Sequence, residues 1–104
     1  MIFSEPREMA QKNILVTGGS GSIVYNLSGY LDAILWDVPG AETYYFSIKG
    51  PTGIEYFIQP TVLTGDTTVN LLPAAVPMTG VMTISVFSAS GDGLFKCTPV
   101  GRLK

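Results

Sequence analysis

The sequence has 104 residues, of which 46% are hydrophobic and only 13% are charged, and its formal net charge is −2. A chain of this length fits one domain with a single core, and its small acidic charge provides no basic surface that would favour nucleic acid. Histidine is absent and Cys97 is the single cysteine, which excludes the commonest general base, an internal disulfide and a thiolate metal site.

Residues 1–12 are a mixed-charge segment without the long apolar run that a signal peptide requires. We interpret this segment as an N-terminal arm, whose apolar tip would place Ile2 and Phe3 against a neighbouring protein. A frayed terminus is the alternative. Residues 13–100 are predicted to form the folded domain, and residues 101–104 a short C-terminal tail.

Short apolar runs, separated by glycine, proline and polar turns, follow one another through the predicted domain. Their composition and spacing predict an all-β fold, an antiparallel two-sheet sandwich of about seven strands. The predicted strands are 13–17, 23–27, 31–36, 43–49, 54–59, 81–88 and 94–100, with a looser strand pair between 61 and 72. Pro77 is expected in a loop before the strand 81–88, and Pro99 is expected at an edge or a strand end.

The clearest hairpin joins the predicted strands 43–49 and 54–59. Burial favours a register in which one face is wholly apolar, because a slip of one residue exchanges the two faces of a strand. That register has three cross-strand pairs: Tyr44 with Ile58, Phe46 with Tyr56, and Ile48 with Ile54. The outward face then carries Tyr45 and Phe57.

The run that begins at Leu31 ends on Trp36, the only tryptophan, and is followed by the turn Pro39-Gly40-Ala41 and by Tyr44. This pattern resembles the second and third strands of a fibronectin type III domain. The segments TTVNLLP and MTISVFSASGDG are similar to later strands of the same family, so the resemblance extends to Val100. It implies an immunoglobulin-like or fibronectin type III-like sandwich whose third and sixth strands, 43–49 and 81–88, are neighbours.

In that arrangement Tyr45, Phe57 and Phe87 would share one outward face of a sheet. Three exposed aromatic side chains on one face are typical of a contact surface. We therefore predict that these residues bind a partner, together with Ile2 and Phe3 of the arm. The alternative is that a loop or the arm covers them.

The segment Ile14–Val24 (ILVTGGSGSIV) resembles the phosphate-binding turn of short-chain dehydrogenases that modify nucleotide sugars, in which glycines let the backbone approach a pyrophosphate. Tyr45 and Lys49 would supply the Tyr-x-x-x-Lys pair of that family. Val24, however, replaces the last glycine, and the following residues lack the 3.6-residue period of a helix. We expect no catalytic residue, no cofactor and no metal, and we expect Cys97 to be a buried small hydrophobe rather than a reactive thiol.

These features favour a non-enzymatic structural protein that packs on a protein lattice through apolar surface. A small, histidine-free sandwich rich in glycine and threonine resembles the accessory virion proteins of tailed bacteriophages. That implies a role in capsid decoration or in the tail, homo-oligomers, and a location in the virion, with the cytoplasm as the alternative location. The alternative is an adhesive or carbohydrate-binding module whose aromatic side chains stack on sugar rings. We expect no nucleic acid partner and, without a window of about 18 apolar residues, no membrane partner.

Overall fold

A computed structural model of the chain describes residues 7–38, 40, 42–59, 61–71, 75–88 and 92–103. These residues form nine strands and no helix: β1 (Arg7–Glu8), β2 (Lys12–Val16), β3 (Ser20–Asp37), β4 (Thr43–Lys49), β5 (Glu55–Ile58), β6 (Leu63–Thr64), β7 (Thr67–Asn70), β8 (Val76–Ser88) and β9 (Gly93–Leu103). The predicted all-β antiparallel class is confirmed, with more strands than predicted. Within those ranges, no helix has the length and apolarity needed to cross a membrane.

The strands belong to one antiparallel sheet in the order β1-β9-β3-β8-β4-β5, with β2 also paired to β9, β6 to β4 and β7 to β3. β3 is the centre of the sheet, since residues 20–31 pair with β8 and residues 29–37 pair with β9. β4 and β8 are hydrogen-bonded neighbours, as expected. β1 lies within the predicted arm and pairs with β9, which itself continues through residues 101–103 of the predicted tail.

β3 is one continuous strand, whereas the sequence predicts two strands separated by Ser28 and Gly29. Ser28 pairs with Thr79, and Gly29 pairs with Met78 on one side and with Leu103 on the other. Neighbouring strands on both sides hold this backbone extended, although the intrinsic preference of a Ser-Gly pair is for a turn. Tertiary pairing therefore overrides the local signal.

β8 begins at Val76 rather than at the predicted Val81, so Pro77 lies within the strand and not in a loop. The N–H of Ser88 donates to the Gly19 carbonyl at 2.9 Å. The backbone N–H and C=O groups of even-numbered residues in β8 therefore point to β3, and those of odd-numbered residues point to the opposite side. On that other side, β4 pairs with β8 only from Thr83 onward. The missing N–H of Pro77 thus lies where β8 has no partner strand in the part of the chain that the structure describes.

Pro99 lies inside β9 rather than at a strand end. It pairs with Ile34 of β3, and its carbonyl accepts a hydrogen bond from the Met9 N–H at 2.8 Å on the opposite side. Because the N–H and C=O of one strand residue point the same way, the missing donor of Pro99 faces Met9, in the gap between β1 and β2. The proline is tolerated because β9 changes partner at this point.

A β-bulge at Asp32 interrupts the regular pairing of β3 with β9. The register shifts between Leu31 and Ala33, which leaves Asp32 as the extra residue. Its side chain is 3% exposed and accepts two hydrogen bonds from Arg102 of β9, from Nε at 2.7 Å and from Nη2 at 2.9 Å. The Asp32 carbonyl also accepts the Leu71 N–H at 2.8 Å. A bidentate ion pair therefore ties the bulge to β9.

We expect Arg102→Met to destabilise the fold more than Asp32→Asn. Asp32→Asn keeps a side chain that can hydrogen-bond and should cost roughly 1–3 kcal/mol, whereas Arg102→Met leaves a buried carboxylate without its partner. The double variant should therefore be more stable than Arg102→Met alone. Urea unfolding of the wild type, the two single variants and the double variant measures the coupling free energy between Asp32 and Arg102. If the losses of the two single variants simply add in the double variant, the expected coupling is absent.

The core lies between parts of the sheet that are not hydrogen-bonded to each other. Trp36 of β3 contacts Tyr44 and Phe46 of β4, with ring centroids 5.7 and 5.2 Å apart. Tyr44 also contacts Phe95 of β9, at 5.3 Å. The sheet therefore curls so that β4 lies across the core from β3 and β9.

Candidate interaction surface

An apolar surface faces outward from β4 and β8, next to β5. We call it the aromatic surface, and its members are Tyr45, Ile58, Val62 and Phe87. Tyr45 points outward because its neighbours in β4, Tyr44 and Phe46, are buried in the core. Phe87 is its cross-strand partner in β8, and the two rings stack with centroids 5.0 Å apart and planes inclined by 22°.

Two open clefts flank the aromatic surface. One, of about 340 Å³, is lined by Gly19, Thr43, Tyr44, Tyr45, Val62, Phe87 and Ser88. The other, of about 300 Å³, is lined by Tyr45, Ile58, Gln59, Thr61 and Val62. Tyr45 and Val62 line both clefts and so form the ridge between them. A ridge between open clefts fits a complementary protein surface better than an enclosed small ligand.

Two neighbouring cross-strand rows of described residues at this face carry no charge. One row contains the Tyr45–Phe87 pair, and the next contains Ser22, Ser85, Ser47 and Ile58. Ser47 is 1% exposed, and its hydroxyl has no hydrogen-bond partner in the described ranges. Charge first appears in the row beyond, where Lys49 pairs with Glu55. The face therefore offers shape and apolar area to a partner rather than charge.

The structure brings together only some of the predicted interface residues. Tyr45 and Phe87 are adjacent, as predicted. Phe57 is on the opposite face, where it packs against the core and its ring lies 5.6 Å from that of Phe46. The prediction that Phe57 shares the outward face is therefore wrong. Ile2 and Phe3 lie outside the residues that the structure describes.

The error with Phe57 originates in the register of the β4–β5 hairpin. Ile58 pairs with Ser47, whereas the predicted partner of Ile58 is Tyr44. A bulge follows, in which Tyr56 is the extra residue of β5 between the Ile48–Phe57 and Lys49–Glu55 pairs, and it shifts the register once more before the loop. Since the displacement between the predicted and observed partners is an odd number of residues, it exchanges the two faces of β5.

Burial of Phe57 in place of Tyr56 also has a physical reason. A buried tyrosine needs a partner for its hydroxyl, and phenylalanine does not. Tyr56 is instead 40% exposed, with its ring packed over Gly50. The choice between hairpin registers counted only the apolar residues on each face. Including the cost of burying the Tyr56 hydroxyl would have favoured the register that turns Ile58 outward. Val62 lies in a segment without a periodic pattern and gave no signal.

The glycine-rich segment forms a tight hairpin turn. Thr17 and Ser20 exchange hydrogen bonds at 3.1 and 3.4 Å, which leaves Gly18 and Gly19 as a two-residue turn with φ of 63° and 90°. The next element is β3 rather than the helix that a dinucleotide-binding motif requires. The N–H groups of both glycines donate to the Asp92 carboxylate, at 3.2 and 3.3 Å. An acidic side chain therefore occupies the position that a phosphate would need.

Tyr45 and Lys49 do not form the pair that the dehydrogenase resemblance implies. Both residues lie in β4 and are exposed. Four residues along a strand span about 13 Å, whereas four residues along a helix are one turn apart. The two side chains are thus not positioned to act on one substrate atom.

A separate cleft of about 390 Å³ involves β3, β7 and β9. Its lining is mostly polar: Glu8, Gln11, Leu35, Trp36, Asp37, Asp66, Thr67, Thr68 and Thr98. Asp66 uses one carboxylate oxygen to accept the Val38 N–H at 2.9 Å. Within the described ranges, no group of three or more histidine, cysteine, aspartate or glutamate side chains is placed to hold a metal ion. The aromatic surface is therefore the stronger candidate site.

No family model matches the chain, and no curated protein matches it in sequence. Among solved structures, the Drosophila NLP-core, a pentamer-forming histone-binding protein, is similar with a TM-score of 0.44 and 14% identity over 92% of this chain and 100% of that chain. A carbohydrate-binding module of the β-sandwich superfamily is similar with a TM-score of 0.42 and 10% identity over 98% of this chain and 57% of that chain. At these values neither similarity bears on function.

Proposed function

We propose that this chain is a non-enzymatic interaction protein that packs on a protein lattice through the aromatic surface. The observation that carries the proposal is the outward, stacked Tyr45–Phe87 pair with Val62 and Ile58 beside it, in rows that carry no charge. Apolar surface of this kind is typically removed from water by a partner. Each Å² buried contributes about 25 cal/mol, before the costs of association.

The lattice we propose is that of a tailed bacteriophage virion, with this chain as a capsid decoration or tail-associated protein. What supports this is the small, histidine-free, weakly charged chain and a neutral contact face suited to a permanent rather than an exchanging partner. Within this proposal the curled sheet is a two-layer sandwich of the fibronectin type III style. The Trp36–Tyr44 contact and the β4–β8 pairing support that assignment, whereas the continuous β3 is not implied by it.

A carbohydrate-binding role is the second candidate. It is favoured by the Tyr45 ring, 38% exposed beside a cleft of about 340 Å³, since aromatic rings are common stacking platforms. We place it second because Phe87 covers one side of that ring and Phe57 is turned into the core. Of the three predicted platforms, one exposed ring remains.

The lattice proposal is tested on density-gradient-purified particles from the source, by measuring the copy number of this chain relative to the major shell protein. A lattice-matched copy number supports a decoration role, and a few copies support a tail role. Val62→Lys should reduce rebinding to stripped particles at least about tenfold, which corresponds to about 1.4 kcal/mol. Leu15→Lys is the matched control, because Leu15 and Val62 are 60% and 63% exposed and Leu15 lies in β2.

Absence of the chain from purified particles, or equal rebinding of the two lysine variants, would overturn the lattice proposal. Binding to a glycan array that Tyr45→Ala abolishes would, in that event, favour the carbohydrate-binding role. A blank array at millimolar glycan would remove that candidate as well.

A further inference from the structure

Charged residues are missing from two long stretches of the sequence, residues 13–31 and residues 67–91. These stretches supply every residue that pairs β3 with β8. Two segments that are far apart in sequence therefore bring their lack of charge together in one part of the sheet. An exposed protein surface usually carries charged side chains on about a quarter to a third of its positions, so this part of the sheet is unusual.

One side of the β3–β8 pair faces outward. Tyr25 and its partner Met82 are buried, so the residues that alternate with them along each strand point away from the core. We call the outward side chains of residues 20–28 in β3 and 79–87 in β8 the neutral face. Apart from Phe87 they are serine, threonine, valine or asparagine, so the face has low relief.

Two exposed valines lie at the middle of the neutral face. Val24 is 50% exposed and Val81 is 42% exposed. Val24 pairs with Thr83 and Val81 pairs with Asn26, so the two valines are diagonal neighbours. Small hydroxyl side chains lie beyond them along the strands, in the pairs Ser22–Ser85 and Ser28–Thr79. An apolar centre within a polar rim is the usual anatomy of a protein interface.

Charged side chains border the neutral face rather than enter it. At the β3 edge, the Lys12 ammonium donates to the Val24 carbonyl at 2.9 Å. On the other side of β8, Lys49 of β4 pairs with Thr83 and with Glu55 of β5. A charged group of a partner placed over the centre of the face would lose its hydration without meeting an opposite charge, which is costly. The surface that covers the neutral face is therefore expected to be uncharged as well.

The neutral face continues the aromatic surface along β8, with Phe87 at the junction. Eight residues of strand separate Phe87 from Thr79, which corresponds to about 27 Å. The four partly exposed side chains of the aromatic surface offer less than the roughly 800 Å² that each side of a stable interface buries, because even a fully buried aromatic side chain contributes only about 150–250 Å². A stable contact has to extend beyond them, and the neutral face is the adjoining surface.

We propose that the lattice contact extends from the aromatic surface along the neutral face as far as Val81, and that the lattice surface it meets is uncharged. This inference rests on the lattice proposal and adds to it the extent of the contact and the chemistry of the partner surface. Burial of the two valines and hydrogen bonds of the surrounding hydroxyl groups hold the contact. Salt should hardly affect it, because neither surface carries charges that ions would screen.

Val81→Lys and Val81→Glu test both parts of the inference, since they place charges of opposite sign at the centre of the neutral face. An uncharged partner offers a counter-charge to neither sign, so both variants should reduce rebinding to stripped particles at least about tenfold. Asn26→Lys and Asn26→Glu, at the position paired with Val81, give the same test from a side chain that is already polar. Raising NaCl from about 0.05 M to about 0.5 M should change wild-type rebinding by less than about twofold.

Leu15→Lys and Leu15→Glu are the matched controls, because Leu15 is exposed and lies in β2, outside the neutral face. Both should rebind like the wild type. Thermal unfolding of every variant checks that the fold is kept. The midpoints should stay close to that of the wild type, because Val81 and Asn26 are exposed and a long charged side chain can lay its stem along the sheet.

The outcomes separate this inference from the lattice proposal. If the Val81 and Asn26 variants rebind like the wild type while Val62→Lys is weakened, the inference is overturned and the lattice proposal stands. A loss with one sign of charge only, or a steep fall of rebinding with salt, would mean that the partner surface is charged. Dimers of the isolated chain in sedimentation velocity that Val81→Lys abolishes would mean that a second copy covers the face instead. Equal rebinding of Val62→Lys and Leu15→Lys overturns the lattice proposal, and this inference with it.

Discussion

Trp36→Ala is expected to lower the free energy of unfolding by about 3–5 kcal/mol. Trp36 is 3% exposed, and its ring contacts the rings of Tyr44 and Phe46 across the core. These aromatic neighbours are held by their own strand, so they cannot move in to fill the space that the indole leaves. The penalty therefore includes a cavity as well as the lost burial. Urea unfolding followed by far-UV circular dichroism measures it.

Two variants serve as controls for Trp36→Ala. Trp36→Phe keeps an aromatic ring in the core and removes the indole N–H, which is buried without a hydrogen-bond partner in the described ranges, so it should retain most of the stability. Tyr45→Ala truncates an exposed ring and should change the free energy of unfolding by less than about 1 kcal/mol. Equal losses in Trp36→Ala and Tyr45→Ala would mean that the two faces of the sheet are wrongly assigned.

The fold should lose stability steeply above about pH 9. Burial raises the pKa of the Cys97 thiol from 9.0 to about 12. Burial also raises the pKa of Tyr25, with a smaller effect of the nearby Cys97, and raises the pKa of Tyr44. All three groups are neutral in the folded protein and ionise more readily when it unfolds. Their stabilising contribution is therefore complete below the unfolded pKa values and is lost as pH rises towards the folded ones.

The thiol alone accounts for a slope of about 1.4 kcal/mol per pH unit above pH 9, and the tyrosines should steepen it above about pH 10. Chemical denaturation at pH 8 to 11 measures the slope. Cys97→Ala removes the thiol, so its free energy of unfolding should not change between about pH 9 and pH 10. Above about pH 10 it should still fall, because the two tyrosines ionise in the unfolded chain. An unchanged slope in Cys97→Ala over that interval would contradict the assignment of the titration to Cys97.

The two-residue alternation of apolar side chains and the amino-acid composition were sufficient to predict the class of the fold and much of its core. The alternation in β4 and β8 correctly places Tyr44, Phe46 and Val86 inside and Tyr45 outside, because each strand has one buried face. Cys97 is fully buried, as predicted. The alternation of buried and exposed residues depends only on residues close in sequence, and it is kept in strands such as β4 and β8 that have a partner strand on each side.

Register and long-range pairing could not be predicted, because they depend on which partner a strand meets. The outward assignment of Phe57 failed through a choice between hairpin registers. The Asp32–Arg102 ion pair joins residues that are 70 positions apart, and neither residue has a local pattern that points to the other. Of the candidate site, the sequence therefore predicted Tyr45 and Phe87, while Ile58 and Val62 emerged only from the packing.

The central position of β3 has a consequence for the order of events during synthesis. β3 is complete at Asp37, yet its main partners, β8 and β9, lie between Val76 and Leu103. Before β8 is made, only residues 33–36 of β3 have a partner strand, β7. An emerging chain therefore carries most of this long strand unpaired until late in the synthesis of the described residues. Contacts so distant along the chain give a high contact order and slow folding. The nascent chain is therefore most prone to mispairing before β9 arrives, and a ribosome that stalls between β3 and β9 would leave it in that state.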